Sequence, residues 1–260
     1  MRILLTGRNG QVGSELERAL PALGEVIASD RGTLDLADPG AIRRVVREVK
    51  PGLIVNAAAY NAVDKAESET ALAMQVNAEA PGMLAEEARR LGALMVHYST
   101  DYVFDGEKRM PYAEEDAPNP ISYYGRTKLE GERTVAASGC RHLILRKAQA
   151  GESMRMVDDQ TSVPTPSAFV AQHTVALLRA GASGLLHLVP SGTATRYEFA
   201  RAVVAAAGST SHVDAARTAE FPTAARRPTY SVLDNHKLAA LLARALPDWR
   251  ELLPRLLERL

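Results

Sequence analysis

Short apolar segments alternate with longer amphipathic segments through the first half of the chain. The apolar segments are RILLT, EVIAS, LIVNA, LMVHYS and HLILR, and the stretches between them, such as AIRRVVREV and APGMLAEEARRLG, carry apolar residues at helical spacing. Strands that alternate with helices are typical of βαβ units. The pattern therefore predicts an α/β fold with a Rossmann-type, doubly wound parallel sheet.

The pattern becomes less regular after Arg146. The segment RMVDDQTSVPTP is typical of a loop, SAFVAQHTVALLRAG of a helix and LLHLV of a strand, and the C-terminal residues are predicted to be helical. We expect a dinucleotide-binding domain over residues 1–146 and a smaller substrate-binding lobe over residues 147–260. The two parts are expected to interleave in space.

Composition narrows the classes of function. The 31 basic residues balance the 31 acidic residues, and no block of like charge occurs, so neither a nucleic-acid nor a membrane partner is predicted and a small-molecule substrate is favoured. The single cysteine excludes an internal disulfide, and a strand-like start in place of a signal peptide favours a cytoplasmic location. The histidines lack metal-ligand spacing, so no metal site is predicted.

A glycine-rich turn joins the first predicted strand to the first predicted helix. Gly7, Gly10 and Gly13 permit a tight turn and a close approach of the backbone to a pyrophosphate. The spacing is G-x-x-G-x-x-G instead of G-x-G-x-x-G, but its position in an alternating α/β chain predicts dinucleotide binding. The expected site also includes the turn residues Asn9, Gln11 and Val12.

Two charged residues at the end of the second predicted strand bear on the choice of cofactor. Asp30 would bind the ribose hydroxyls of NADH, whereas Arg31 would pair with the 2′-phosphate of NADPH. We therefore expect NADPH and NADH both to be used. The small residues after the third strand either form a wall against the dinucleotide or serve only packing; they are Ala57, Ala58 and Ala59.

Tyr124 lies four residues before Lys128 at the start of a predicted helix, in SYYGRTKLEG. Residues at this spacing project from one helix face, so the phenol and the ammonium can share a cleft, which Tyr123 and Lys128 cannot do. A free phenol titrates at about pH 10, and the cation is expected to lower the pKa of Tyr124. The alternative is a solvated lysine beside a half-buried tyrosine.

These features resemble the extended short-chain dehydrogenases/reductases that act on nucleotide sugars, and the dTDP-4-dehydrorhamnose reductase family in particular. STDYVF, at residues 99–104, is the most specific of the motifs that carry the resemblance. The matching segments cover almost the whole chain: LDLAD, NAAAYNAVDKAE, VNAEAPGMLA, STDYVFDG, YYGRTKLEGE, VDDQTSVPT and RPTYSVLDNHKL.

The resemblance implies transfer of a hydride from NADPH or NADH to the C4 ketone of dTDP-4-dehydrorhamnose, which gives dTDP-L-rhamnose. It implies that Tyr124 donates the proton and that Lys128 also holds the nicotinamide ribose. Thr100 is expected to orient the carbonyl, a role for which Ser99 competes.

The resemblance also extends both binding sites. It adds Asp35 and Leu36 to the expected cofactor site, and it adds Tyr102 and Val63 to the expected substrate site. Some family members dimerise around magnesium, so a monomer or a homodimer is expected, with Mg²⁺ implied by resemblance alone.

Three other functions are compatible with parts of the pattern. Sugar dehydratases carry an Asp-Glu pair after the threonine, but here Asp101 is followed by Tyr102, so simple reduction is favoured. The function of a related nucleotide-sugar epimerase is a second alternative that the sequence leaves open. A non-catalytic, dinucleotide-binding regulatory subunit of the same fold also stays open, although such a subunit has no need of Thr100, Tyr124 and Lys128 together.

The chain departs from the family pattern after the fifth predicted strand. The family has an aromatic SWVYG-like segment and a further helix there, whereas only residues 147–153 separate Arg146 from Met154. Either this is a genuine deletion or residues have been omitted from the sequence. A genuine deletion predicts an open sugar pocket with weakened substrate binding and an intact dinucleotide site, because Trp249 near the C-terminus cannot replace the family's tryptophan.

Overall fold

The computed structural model describes residues 1–148 and 155–257. Its strands are β1 (Arg2–Thr6), β2 (Glu25–Ser29), β3 (Leu53–Asn56), β4 (Leu94–Thr100), β5 (Arg141–Lys147), β6 (Arg155–Val157), β7 (Thr161–Ser162), β8 (Gly184–His187), β9 (Ala194–Thr195) and β10 (Asp214–Ala216). Its α-helices are α1 (Gln11–Ala19), α2 (Pro39–Val49), α3 (Thr70–Met74), α4 (Ala80–Leu91), α5 (Tyr123–Ala137), α6 (Ser167–Arg179), α7 (Arg196–Ala206), α8 (His236–Leu241) and α9 (Leu253–Leu257).

The central sheet has six strands in the order β2-β1-β3-β4-β5-β8, and every neighbouring pair is parallel. The first five are the strands that the apolar segments of the first half predict. β8 comes from the C-terminal part of the chain and pairs with β5, so that part contributes to the main sheet. The division into domains at residue 146 stays a prediction.

Helices cover both faces of this sheet. On one face, α1 and α6 pack against apolar residues of β1, β3, β4, β5 and β8, including Leu5, Leu143 and Leu186. On the other face, α2 and α4 pack against a second cluster that includes Leu4 and Ile144. Successive residues of each strand therefore supply alternate cores. The predicted doubly wound parallel fold is confirmed.

Two small sheets lie outside the central one. β6 pairs with β10 in parallel, and β7 pairs with β9 in antiparallel orientation. The prediction of a loop over RMVDDQTSVPTP is thus wrong at residues 155–157 and 161–162, because their partners at 214–216 and 194–195 lie far along the chain. A loop-like local sequence becomes a strand when a distant segment supplies the hydrogen bonds.

One helical segment changes its pitch where it lies beside the loop after β3 and α5. Residues Gln75–Glu79 form a π-helical turn between α3 and α4. The side chain of Asn77 in that turn accepts a hydrogen bond from the backbone N–H of Tyr60 at 2.8 Å and donates to the hydroxyl of Thr127 at 3.0 Å. The turn therefore joins the loop after β3 to α5. Within the described residues, no helix is long and apolar enough to cross a membrane.

Candidate active site

The glycine-rich turn after β1 has no room for side chains at two of its glycines. Gly7 has a φ of 76°, and a Cβ there would lie 2.7 Å from the backbone nitrogen of Ala58. A Cβ on Gly13 would lie 1.9 Å from the carbonyl oxygen of Gly7. These contacts bring the start of α1 against the ends of β1 and β3.

The first turn of α1 offers unpaired donors at this edge of the sheet. Gly10 caps the helix, and no side chain there accepts a hydrogen bond from the first-turn N–H groups. The first N–H groups of a helix have no intrahelical partner, and the helix dipole places partial positive charge beside them. Together the turn and the helix form a cradle for an anion such as a pyrophosphate.

Polar side chains join the carboxyl ends of the neighbouring strands beneath this turn. Thr6 donates to the side-chain oxygen of Asn56 at 2.6 Å, and the amide nitrogen of Asn56 lies 3.2 Å from Nδ1 of His97. All three side chains are buried. The carboxyl ends of β1 and β3 are thereby joined to each other and to the middle of β4.

Asp30 and Arg31 lie just beyond the end of β2, as expected. The Asp30 carboxylate accepts hydrogen bonds from the backbone N–H groups of Gly32 and Thr33, each at 3.1 Å. These bonds, those from Thr33 foremost, hold the pKa of Asp30 below its ordinary value. The Arg31 side chain is 80% exposed and contacts Asp35 at 3.4 Å. The carboxylate is thus engaged by its own turn, whereas the guanidinium is exposed and pairs with Asp35.

The remaining expected cofactor residues differ in what they can offer. Leu36 is buried in the core cluster that α2 and α4 cover, so only its backbone can face a ligand. Ala57 packs against the first core cluster and Ala58 against the second. Both alanines are only partly buried, as is Ala59, so the backbone of this segment lines the turn at Gly7.

Two glycines let α5 closely approach the segment after β4 and the π-helical turn. A Cβ on Gly125 would lie 2.2 Å from the carbonyl oxygen of Tyr102, and a Cβ on Gly131 would lie 2.1 Å from that of Asn77. Ser122 caps the helix by accepting a hydrogen bond from the N–H of Gly125 at 3.1 Å. The start of α5 is therefore fixed against the STDYVF segment.

Thr100 and Tyr124 meet at that point. Their side chains are hydrogen-bonded to each other, and both are buried. Thr100 also donates to Asp101 at 3.0 Å and accepts from the N–H of Tyr102 at 3.2 Å. By contrast, the buried hydroxyl of Ser99 has no hydrogen-bond partner among the described residues. The geometry therefore favours Thr100 over Ser99.

Lys128 lies one helical turn beyond Tyr124 and is also buried. Its Nζ donates to the backbone oxygen of Tyr98 at 2.6 Å. Burial and then the neighbouring charge of Lys147 lower the pKa of Lys128 to about 7, against the opposing effect of Glu132. Because the Lys128 side chain is buried, the alternative of a solvated Lys128 is wrong.

The expected lowering of the Tyr124 pKa is also wrong for this structure. Burial raises the pKa of Tyr124 above its ordinary value, and the charge of Asp101 adds to the effect, while the hydrogen bond to Thr100 opposes it. The Lys128 ammonium is turned to the Tyr98 carbonyl. The phenol is therefore neutral near pH 7, which is the form that a proton donor requires.

Tyr102 links this cluster to two arginines that the sequence pattern did not single out. Its ring lies edge-on to that of Tyr124, with centroids 6.1 Å apart. Its hydroxyl accepts from Arg196 at 2.9 Å and is hydrogen-bonded to Arg227. Val63 packs against the same tyrosines. The expected substrate residues thus lie beside the expected catalytic residues.

The two guanidinium groups differ in how their charge is balanced. Arg227 forms a two-pronged ion pair with Asp64, with distances of 3.1 and 2.7 Å. Arg196 contacts the amide oxygen of Gln160 at 3.3 Å and pairs with no carboxylate in the part of the chain that the structure describes. Sequence reasoning missed Arg196 because it is 94 residues from Tyr102 along the chain.

Two further sequence-based expectations concern the segment after Lys147 and the absence of a metal site. Most of the short segment after Lys147 lies outside the described residues, so the structure does not test the alternatives of deletion and omission. Across residues 1–148 and 155–257, no three side chains of the types that bind metals form a cluster.

A family model described as "RmlD substrate binding domain" matches this chain in two parts, residues 1–150 and 143–260. The chain belongs to the RmlD family. The two parts meet at the segment after β5, where the sequence departs from the family pattern. The resemblance inferred from STDYVF and YYGRTKLEGE is therefore confirmed.

Curated and solved members of this RmlD family resemble the chain over nearly its whole length. The dTDP-4-dehydrorhamnose reductase of Burkholderia thailandensis is 42% identical over 285 residues, which cover 96% of each chain. A crystal structure of the enzyme from Clostridium acetobutylicum superposes with a TM-score of 0.92 at 35% identity and 99% coverage of both chains. The enzyme from Bacillus anthracis, solved in complex with NADP, gives 0.93 at 31% identity, covering 100% of this chain and 99% of that one.

Proposed function

We propose that this protein is an NADPH- or NADH-dependent reductase that converts the C4 ketone of dTDP-4-dehydrorhamnose to the alcohol of dTDP-L-rhamnose. The observation that carries the proposal is the hydrogen-bonded pair of Thr100 and Tyr124, with Lys128 one turn away on the same helix. Family members with that activity match the chain over nearly its whole length.

The residues of the glycine-rich turn fit a dinucleotide. The uncapped N-terminus of α1 suits a pyrophosphate, and Gly7 lets the turn beside it pack directly against the backbone of Ala58. We assign the ribose end to Asp30 and Arg31, with Asp35 beside them. The bound cofactor supplies the hydride; the proton and the orientation of the ketone come from the protein.

Thr100 and Tyr124 together provide donors for one carbonyl oxygen. When the ketone accepts a hydride, its oxygen becomes an alkoxide, and a neutral phenol at hydrogen-bond distance can neutralise that charge by giving up its proton. Thr100 holds the phenol at one point, and it becomes a second donor when its single hydroxyl proton, donated to Asp101 at 3.0 Å in this structure, turns to the ketone. Because burial keeps Tyr124 protonated, its acid form is available throughout the neutral pH range.

Lys128 gives this proton transfer a positive neighbour. An ammonium stabilises a nearby phenolate, so the negative charge left on Tyr124 after the transfer is offset. We also assign to Lys128 a hydrogen bond to the nicotinamide ribose. The Tyr98 carbonyl, which accepts from Nζ at 2.6 Å, holds the lysine in place for both tasks.

The arginines around Tyr102 suit the diphosphate of a nucleotide sugar. Guanidinium groups bind phosphate oxygens through paired donors, and Arg196 has no carboxylate partner among the described residues. A diphosphate held there would direct the sugar toward Tyr102, Val63 and the Thr100–Tyr124 pair. A cytoplasmic location is part of the same proposal.

The test is to mix the purified protein with NADPH and dTDP-4-dehydrorhamnose and to follow the absorbance of the reduced cofactor. We expect substrate-dependent loss of NADPH, with dTDP-L-rhamnose as the product on chromatography. If the protein binds NADPH but does not oxidise it in the presence of this sugar, the proposal is contradicted. That result would favour a non-catalytic, dinucleotide-binding regulatory subunit. Release of an isomer without net NADPH consumption would favour an epimerase.

A further inference from the structure

Arg146 and Glu132 form a buried ion pair between β5 and α5. Nε and Nη2 of Arg146 donate to the two carboxylate oxygens of Glu132 at 2.8 and 2.6 Å, so both oxygens are engaged. The two side chains are only 2% and 7% exposed. The guanidinium also lies over the ring of Phe104, with Cζ 5.1 Å from the ring centroid. Arg146 is therefore fixed between α5 and the STDYVF segment.

Glu132 is also within reach of Lys128. The two residues are four positions apart on α5 and both are buried, and side chains at this spacing are neighbours on one helix face. Lys128 reaches the backbone oxygen of Tyr98 on β4. Glu132 reaches Arg146 on β5, whose partner in the register is Ser99, the next residue of β4. Because neighbouring strands lie about 4.8 Å apart, the ammonium and the carboxylate are directed to adjacent points of the sheet.

Lys128 nevertheless donates to a neutral group. Its Nζ lies 2.6 Å from the carbonyl oxygen of Tyr98, although opposite charges at this helical spacing attract each other, and more strongly in the protein interior than in water. The two-pronged bond from Arg146 explains the arrangement, because it occupies both oxygens of Glu132 and offsets their charge. The ammonium is thereby left on the Tyr98 carbonyl.

We propose that Arg146 is a positioning residue for the reduction: by engaging Glu132 it keeps Lys128 from pairing with that carboxylate. The ammonium then stays where the cofactor and the proton donor need it. This inference rests on the proposed function, in which Lys128 binds the nicotinamide ribose and offsets the charge left on Tyr124. If the ion pair served only to join α5 to β5, loss of either partner would have the same effect. In the positioning role, loss of Arg146 is harmful because Glu132 is left behind.

The variants Arg146→Met and Arg146→Met/Glu132→Gln separate these two roles. Methionine leaves the carboxylate to pair with Lys128, so NADPH should bind about tenfold more weakly, the low end of the value of a hydrogen bond to a charged group. The kcat should fall as well. In the double variant no carboxylate competes for Lys128, and the Kd for NADPH should return to the wild-type value. Fluorescence titration measures the Kd of each protein.

Equal weakening of NADPH binding in the single and double variants would overturn the inference, and so would an unchanged Kd in Arg146→Met. Arg133→Met breaks the exposed pair with Glu130 on the same helix and is the matched control. If Arg146→Met folds poorly, Glu132→Gln alone takes its place. It should bind NADPH as the wild type does, whereas weakened binding would mean that the pair is only structural.

Crystal structures of the variants give a readout that depends on neither cofactor nor turnover. In Arg146→Met, Nζ of Lys128 should lie within hydrogen-bond distance of a Glu132 oxygen and away from the Tyr98 carbonyl. In the double variant it should remain on that carbonyl. A Lys128 that stays on Tyr98 in Arg146→Met would overturn the inference even in an active reductase. The expected shift of Lys128 in a protein that does not reduce the sugar would instead refute the proposed function alone.

Discussion

The side chains of Thr100 and Tyr124 are hydrogen-bonded to each other at the carboxyl end of β4. We expect Tyr124→Phe to reduce kcat by about a hundredfold to ten-thousandfold, the range for loss of a general acid. The Kd for NADPH should stay unchanged, because the phenol acts on the reacting carbonyl and not on the dinucleotide. Steady-state kinetics and fluorescence titration measure the two quantities. Tyr123→Phe, at the neighbouring helix position, is the matched control, and near wild-type turnover by Tyr124→Phe would refute the assignment.

Lys128 is expected to serve both the cofactor and the reaction. Lys128→Ala should lower kcat and should also weaken NADPH binding by about tenfold to a hundredfold, the value of a hydrogen bond to a charged group. Titration with NADPH and steady-state kinetics of the same preparation measure both effects. The surface variant Lys237→Ala controls for loss of a lysine in general. If Lys128→Ala changes neither quantity, the lysine has no part in the site.

Asp30 and Arg31, which follow β2, should allow the protein to use both NADPH and NADH. Asp30 is engaged by its own turn, and Arg31 is exposed. We expect NADPH and NADH to differ in kcat/KM by less than about a thousandfold, which is roughly 4 kcal/mol. Arg31→Ala should reduce the efficiency of NADPH and leave that of NADH nearly unchanged. A larger wild-type preference would mean that one of the two residues dominates.

Local sequence predicted the parts of this fold that depend on local pattern. The five apolar strands of the first half, the glycine-rich turn and the i,i+4 relation of Tyr124 and Lys128 follow from periodicity and spacing alone. The short strands at 155–157 and 161–162 did not, because their partners lie far along the chain. Arg196 was missed for the same reason.

The electrostatics of the candidate site were equally hard to predict. The sequence indicates that a cation lies beside a phenol, but not which effect dominates. Burial and the charge of Asp101 raise the pKa of Tyr124, and Lys128 is bound to the Tyr98 carbonyl. The burial of the cluster depends on the close packing of α5 against the backbone of Tyr102 and Asn77, at Gly125 and Gly131. The neighbourhood of Arg146 likewise depends on the pairing of β4 and β5.

Arg196 should contribute to nucleotide-sugar affinity. Its guanidinium contacts Tyr102 and Gln160, and Arg196→Met should weaken binding of dTDP and of the dTDP-sugar by about tenfold to a hundredfold, as for a hydrogen bond to a charged group. NADPH affinity should not change. Isothermal titration with each ligand measures these effects. Arg201→Met, on the same helix and exposed, is the control; equal binding by Arg196→Met and Arg201→Met would exclude the diphosphate role.

The stability of the fold should fall in acid because of His187. This imidazole is fully buried at the end of β8, where its Nδ1 contacts the backbone oxygen of Asp234 at 3.2 Å. Burial, and then the charge of Arg146, lower the pKa of His187 from 6.5 to about 3. Between these two values the unfolded chain binds a proton that the folded protein does not bind. The free energy of unfolding therefore rises with pH in this window and falls as the pH drops from 6.5 toward 3.

The variant His187→Gln isolates this contribution, because glutamine can still donate to the Asp234 carbonyl but does not titrate. Urea unfolding across the same pH window should give a slope that is smaller than the wild-type slope by up to about 1.4 kcal/mol per pH unit. Glu114, whose pKa burial raises, has the opposite pH dependence, but it is present in both proteins and cancels in the comparison. His212→Gln removes an exposed imidazole and should keep the wild-type slope. Equal slopes for wild type and His187→Gln would mean that protonation of His187 is not coupled to unfolding.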